Sequence, residues 1–517
     1  MATRYQHRRS TTTAQAPSTL LPGEIAANLT DEVLWVGKAD GTPKKLTSFA
    51  DFLEAVQDLI GTFVKGGTGI SVAYNDATGE TTITNTGGSG GSSNAPYLLY
   101  EFGDSRSYQA WSYTTTIPAP RAASPFWWME ALSRRVKMDY RYVQGVSGNE
   151  VAQVKARIQA NTANAWGFGP EDLPEPGIVT LLVGTNDITG AVAAGGRTYI
   201  DSVLADHLWI VNWALGKGHK VIVITEWPRS GLTADEQKLM QYFVNGLRRQ
   251  YAGMKDVWVD DPWIETANPS DTTGAAIVGL LNADELHTSP GIGQVQGRRL
   301  ARLAERMGLP IIHNHCPGSN ADLYDATNNP RGCIAGNPMM QGSGGTLGAG
   351  ASGVAPDGWT LDASGGLSVV GSRETITVDG REYDAFKVVV SGTTSAANAY
   401  ARIRRSGLLS SVAIGDKLEA GCFVKVLDGH QNFGAPAMVI DPGVTADQVH
   451  GGLTVTGDRA PPAAIVEAMD VYPRSERYTV PDPLPASLAV DYRVRFVESG
   501  LVSSATAYFI SSYFRKV

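Results

Sequence analysis

The chain reads as a multidomain protein: a small α/β joint region, a central α/β/α domain built on a parallel sheet, and a C-terminal jelly-roll-like β-sandwich. Three observations predict this order. Between residues 97 and 259, continuous apolar runs (97–102, 178–183, 221–224 and 257–259) are separated by stretches of helical periodicity. Such runs mark parallel strands covered on both faces. After Val354 the period falls to two, in short runs bounded by glycine and proline, which reads as a β-sandwich. Third, the stretches 86–94 (T-G-G-S-G-G-S-S-N) and 342–353 (G-S-G-G-T-L-G-A-G-A-S-G) have linker composition. The expected divisions are 1–45, 46–94, 95–315, a linker at 316–353, and 354–517. The second glycine run also fits a turn system packed on a neighbour.

Each element has its own signal. Residues 49–64 carry Phe52, Val56, Ile60 and Val64 four apart, the stripe of an amphipathic helix. Two alternating strands around N-D-A-T-G then predict a hairpin before the first glycine run. In the central domain Ser289 and Pro290 form a helix start, and Ile292, Val295, Leu300, Leu303 and Met307 follow at roughly helical spacing. Near the C-terminus, 375–378, 385–390, 400–403, 418–426, 490–497 and 506–513 alternate or run apolar. No internal repeat is evident, which disfavours a β-helical shaft.

Charge and composition narrow the partners. Forty-three basic against 51 acidic residues give a net charge of −8, unsuited to non-specific nucleic-acid binding. The start M-A-T-R-Y-Q-H-R-R has no apolar signal core, and no stretch reaches membrane-spanning length. Cys316, Cys333 and Cys422 are a sparse, odd set that fits reduced thiols. H-N-H-C at 313–316 has weak metal-ligand spacing and fits a surface turn. No metal or cofactor is expected.

Three motifs carry chemistry: G-D-S-R at 103–106, G-T-N-D at 184–187 and D-E-L-H at 284–287. Together they hold a nucleophile, an oxyanion donor and an acid-positioned base, the set that acyl transfer needs. A serine hydroxyl is a weak nucleophile until a base accepts its proton, so Ser105 requires a histidine. Asp284 and His287 stand three apart, the spacing of one face of a helical turn. Among eight histidines, only His287 and His450 have an aspartate three residues before them. His450 lies in a β-like region, so His287 is the better base. Asn186 can offer its amide to an oxyanion, worth on the order of 3 kcal/mol. Nine of the 11 tryptophans fall in this domain. Trp111, Trp166 and Trp227 follow strand ends, where a ring face could stack on a sugar. Arg106, with Arg229 as another candidate, could meet an acidic sugar's carboxylate.

The motif set resembles the GDSL/SGNH hydrolase family over roughly residues 96–312. The resemblance implies a flavodoxin-like α/β/α sheet with Ser105 as nucleophile and Asp284 and His287 as its partners. It also implies an oxyanion hole from the Ser105 and Gly148 N–H groups and the Asn186 amide, Gly148 lying in V-S-G-N-E. Arg106 departs from the leucine of the family name, at a position that carries no chemistry. The run L-L-P-G-E-I-A-A-N-L-T-D-E-V-L-W-V-G in residues 1–45 resembles the start of bacteriophage tail-fibre proteins, as does the hairpin. That likeness implies a homotrimeric virion protein made in the host cytoplasm and joined to other tail or baseplate proteins through its N-terminus. The expected activity is O-acetyl esterase action on a host capsular or O-antigen polysaccharide. A glycan-binding adhesin without catalysis, or a bacterial carbohydrate esterase or lipase, is the alternative. The terminal sandwich is expected to bind glycan, to trimerise, or to stabilise.

Overall fold

The computed structural model describes residues 8–48, 70–75, 80–85, 97–174, 177–311, 316–462 and 466–517, which fall into two compact units, 1–93 and 94–517. In the first unit, β1 (Arg8–Ser10), β2 (Ile25–Asn28), β3 (Val33–Gly37) and β4 (Pro43–Ser48) form one sheet in that order. The G-E-I-A-A-N-L run supplies β2. Strands β5 (Ile70–Asn75) and β6 (Glu80–Asn85) pair antiparallel as the expected hairpin. The helix expected over 49–64 lies outside the described residues.

The second unit opens on the central sheet. Its strands are β7 (Tyr97–Gly103), β10 (Val136–Lys137), β11 (Gln144–Gly145), β12 (Gly177–Leu182), β13 (Lys220–Ile224) and β14 (Val257–Asp260), while β8 (Trp111–Ser112) and β9 (Ala119–Pro120) form a separate small ribbon. The order is β10-β7-β12-β13-β14, with β11 further along the outer edge of β7, and every pairing is parallel. Alternate residues of each strand enter opposite layers. Tyr100, Phe102, Val179, Leu181, Val221 and Val223 pack with α3 (Val151–Gln159), α5 (Arg197–Gly216) and α6 (Ala234–Tyr251). Leu99, Ile178, Leu182, Ile222 and Ile224 pack with α2 (Pro125–Ser133) and α8 (Pro290–Arg306). Two apolar faces explain why these strands read as unbroken apolar runs. Short helical turns α1 (Ser105–Tyr108) and α4 (Thr185–Ile188) follow the carboxyl ends of β7 and β12, and α7 (Trp263–Thr266) follows β14. Among the described residues no helix is long and apolar enough to cross a membrane.

The C-terminal region holds a six-stranded and a seven-stranded sheet, antiparallel apart from their glycine-rich edge strands. The expected strands are present within Leu367–Val378, Arg381–Thr393, Tyr400–Arg405, Lys417–Val426, Ala489–Phe496 and Val502–Lys516. Further strands include Ala355–Ala363 and Phe433–Asp441. The core of this region is continuous with the α2/α8 layer of the central sheet. The stretch 316–353, expected to be a linker, is bonded to the terminal sheets. The Ile334 N–H donates to the Phe514 carbonyl (2.6 Å) and the Ser512 N–H to the Pro338 carbonyl (2.8 Å). Its glycines serve close approach: a Cβ on Gly345 would lie 2.1 Å from the Pro356 oxygen.

Candidate active site

Strand β7 delivers the nucleophile. Its last residue, Gly103, sits where a Cβ would meet the Leu182 carbonyl oxygen at 2.2 Å, so only glycine lets β7 and β12 run together to their ends. Asp104 then caps α1, its carboxylate accepting the Arg106 N–H (2.9 Å). Ser105 is the first residue of that turn and is nearly buried. Its own N–H is therefore among the donors left without an intrahelical partner.

The base arrives from the loop before α8. His287 Nε2 lies 2.8 Å from Ser105 Oγ, and its Nδ1 lies 2.6 Å from Asp284 Oδ2. With Asp284 ionised, Nδ1–H donates to the carboxylate, and Nε2 is free to accept the serine proton. The pair is not on a helical turn, as its spacing suggested. Glu285 has a φ of 53°, which breaks the helix, and Asp284 Oδ1 instead accepts the N–H groups of Leu286 and His287, both at 3.0 Å. Burial opposes the Asp284 charge, but the bonds from the His287 ring and the two N–H groups outweigh it. They hold its carboxyl below the usual range. An ionised partner in turn stabilises the imidazolium that forms when Ser105 is deprotonated.

The oxyanion candidates lie at neighbouring strand ends. Strand β11 pairs with the end of β7 (Gly145 with Gly103) and leads to Gly148; β12 pairs with β7 on the other side and leads to Asn186. Gly148 has a φ of 79°, the left-handed region that favours glycine. Asn186 Nδ2 donates one hydrogen to the Asn149 carbonyl (2.9 Å), which ties its loop to that of Gly148 and leaves the second amide hydrogen for a ligand. Asp187 reinforces the tie by accepting the Val151 N–H at 3.0 Å. Burial raises the Asp187 carboxyl to about 7 against that bond.

Most of the residues expected to meet substrate lie elsewhere. Arg106 is 1% exposed, held between Asp104 and Glu226, because a buried guanidinium needs carboxylates on its donors. Trp227 is fully buried beneath it, 4.9 Å from the guanidinium carbon. Trp111 is buried with its indole N–H on Glu101 (3.2 Å). Arg229 is also buried, its guanidinium on the Thr185 and Thr189 hydroxyls. Only Trp166 keeps part of its ring at the surface, stacked on Tyr113 with centroids 5.4 Å apart. Tyr113 in turn meets Tyr108 (4.7 Å), which stands one turn after Ser105 and is 39% exposed. The sequence reading named Trp166 but missed Tyr108, Tyr113 and Glu226. The signal for Glu226 was its place just past the end of β13, where open α/β sheets build their sites.

His313 and His315 lie outside the described residues, and among the described residues no cluster of three or more His, Cys, Asp or Glu side chains could hold a metal.

No family model and no curated protein matches the chain. Among solved structures it is similar to an acetylxylan esterase from Geobacillus stearothermophilus (18% identity, 41% of this chain and 94% of that one, TM-score 0.29). It is also similar to a carbohydrate esterase of family 3 from Talaromyces cellulolyticus (13%, 41% and 97%, TM-score 0.26). A third is a GDSL-like lipase from Bacteroides thetaiotaomicron (14%, 41% and 87%, TM-score 0.28). The chemistry rests on the side-chain geometry of Ser105, His287 and Asp284.

Proposed function

We propose that the chain is a serine esterase that removes small acyl groups, acetyl above all, from a glycan. The observation that carries this reading is the hydrogen-bonded series Ser105–His287–Asp284 at the carboxyl end of a parallel sheet. Ser105 Oγ attacks the ester carbonyl while His287 takes its proton. The N–H groups of Ser105 and Gly148 and the Asn186 amide receive the oxyanion. His287 then protonates the sugar oxygen as its bond to the acyl carbon breaks, releasing the sugar hydroxyl, and the acetyl group stays on Ser105. Water, deprotonated by the same imidazole, releases acetate. The partly exposed row Tyr108–Tyr113–Trp166 beside the nucleophile favours a substrate with ring faces over a lipid chain.

The carrier in this reading is a homotrimeric phage tail fibre or tailspike that meets a host surface polysaccharide, supported by the tail-fibre-like run in residues 1–45. Light scattering at three times 54.9 kDa is expected; a clean monomer at micromolar concentration contradicts the trimer.

Proton NMR of O-acetylated polysaccharides tests the activity. Acetylated xylan, the polymer named for the Geobacillus enzyme, joins capsular and O-antigen preparations as probes. Wild type should convert the O-acetyl methyl signals to free acetate, and Ser105→Ala should leave them intact. Equal release by both proteins contradicts the mechanism.

A further inference from the structure

We propose, resting on the esterase reading, that the five residues after β13 (T-E-W-P-R, 225–229) set the relative positions of all three catalytic motifs, with Glu226 as the principal positioning residue. None of the five supplies a reacting atom, yet three of their side chains end on three different motifs. Glu226 accepts from both Nη atoms of Arg106, one bond being 2.9 Å. Arg106 returns to Asp104 through Nε (2.9 Å) and Nη2 (2.6 Å). A guanidinium is thus gripped by a carboxylate on each side, and one of them caps the turn that carries Ser105. Arg229 reaches the oxyanion loop, donating to the Thr185 Oγ1 (2.6 Å) and Thr189 Oγ1 (2.8 Å) hydroxyls on either side of Asn186 and Asp187. Trp227 lies under Arg106, and its indole N–H donates to the Leu286 carbonyl (3.3 Å), beside His287. The segment is itself anchored to β14, where the Thr225 N–H meets the Asp260 carbonyl (2.9 Å) and its hydroxyl meets Asp261 (3.0 Å).

The chemistry gives this arrangement a purpose. The relay Ser105–His287 joins residues 182 positions apart, and such constellations must hold to about 0.5 Å. Burying Asp104, Arg106 and Glu226 is a poor way to gain stability, since well-packed apolar side chains of similar volume do as well or better. What a two-sided fork supplies instead is direction, because planar bidentate pairs fix angles as well as distances. Gly184 fits the same frame: a Cβ there would meet Phe243 at 2.4 Å and Glu226 Oε1 at 3.2 Å.

The test compares Arg106→Leu, Glu226→Leu and the double variant, by thermal midpoint and by kcat and KM on p-nitrophenyl acetate. Arg106→Leu strands Asp104 and Glu226, Glu226→Leu leaves Arg106 on Asp104 alone, and the double variant strands Asp104 only. The proposal expects the double variant to regain part of the thermal midpoint lost in Arg106→Leu while kcat stays about tenfold to a hundredfold low at unchanged KM. A double variant with wild-type kcat overturns it, including the case where kcat simply follows the midpoint down and back. If the double variant does not fold, Trp227→Phe decides. Lower kcat at unchanged KM and midpoint supports the proposal, and wild-type kcat overturns it. Wild-type protein without ester hydrolysis overturns the esterase reading and this proposal together, and is seen before any variant is made.

Discussion

The central domain and the terminal sheets both bury arginine–carboxylate pairs, but on different scaffolds. In the terminal sheets most partners lie on neighbouring strands, and Asp491 and Arg493 lie two apart on one strand. Asp362 pairs in register with Arg402 and Arg402 with Arg493, while Arg404 opposes Asp491. Asp491 is fully buried and serves Arg402 (3.3 Å), Arg404 (3.0 Å) and Arg493 (3.1 Å) together. The backbone ladder already dictates that geometry, so the charges reinforce a register that exists without them. In the central domain Arg106 and Glu226 stand 120 residues apart on segments that have left their strands. No ladder orients those segments, so the fork itself has to. The comparison teaches that the same ion pair is a register device on a sheet and an aiming device beyond the strand ends.

Four substitutions break or sharpen that contrast. Asp284→Asn removes the charge that orients His287 and should lower kcat about 10³–10⁴-fold, less than loss of the nucleophile, while the thermal midpoint stays near wild type. Arg106→Leu leaves Asp104 and Glu226 buried without their shared cation. Denaturant titration should show about 3–5 kcal/mol lost, with kcat reduced in the protein that remains folded. Asp491→Ala leaves Arg493 without its carboxylate, while Arg402 keeps Asp362 and Arg404 keeps Asp441, and should remove about 2–4 kcal/mol by the same titration. Its kcat on p-nitrophenyl acetate should be unchanged, because those residues touch none of the catalytic motifs. A kcat loss there would erase the distinction between the two scaffolds.

The last effect is a pH dependence and concerns Glu101 on β7. Burial pushes its carboxyl up to about 8, only partly opposed by the Trp111 N–H. The folded state therefore holds a proton that the unfolded state releases near its ordinary value of 4.5. Stability from this group is present at low pH and is lost as pH rises from about 4.5 through 8. Glu101→Gln should flatten that slope. Its midpoint relative to wild type should rise steadily over the same interval, and a constant difference contradicts the assignment.

Chemistry and burial pattern were legible to different degrees. Ser105, Asp284 and His287 could be named because acyl transfer admits few residue types, and the structure brings the three together. The central strands were legible because two buried faces leave an unbroken apolar run. The strand Phe433–Asp441 is likewise buried throughout, but its run is interrupted by glycine and proline, so neither alternation nor apolar length marked it. Tryptophan positions were misleading. A ring after a strand end can face solvent or fold inward, and Trp227 folds inward, under the Arg106 guanidinium and with its indole N–H on the Leu286 carbonyl. Glycine was ambiguous in the same way: the composition of 342–353 fitted both a linker and a packed turn system, and its glycines permit backbone contact on the terminal sheets. The helical spacing of Asp284 and His287 described their separation but not the turn that produces it.

The most direct test of the central claim is covalent capture. The native protein is treated with a fluorophosphonate, which reacts only with an activated serine, and the adduct is mapped by peptide mass spectrometry. A single adduct on Ser105, formed in wild type and lost in His287→Ala, is the predicted result. An adduct on another serine, or equal labelling of Ser105 in His287→Ala, would contradict a nucleophile activated by this histidine.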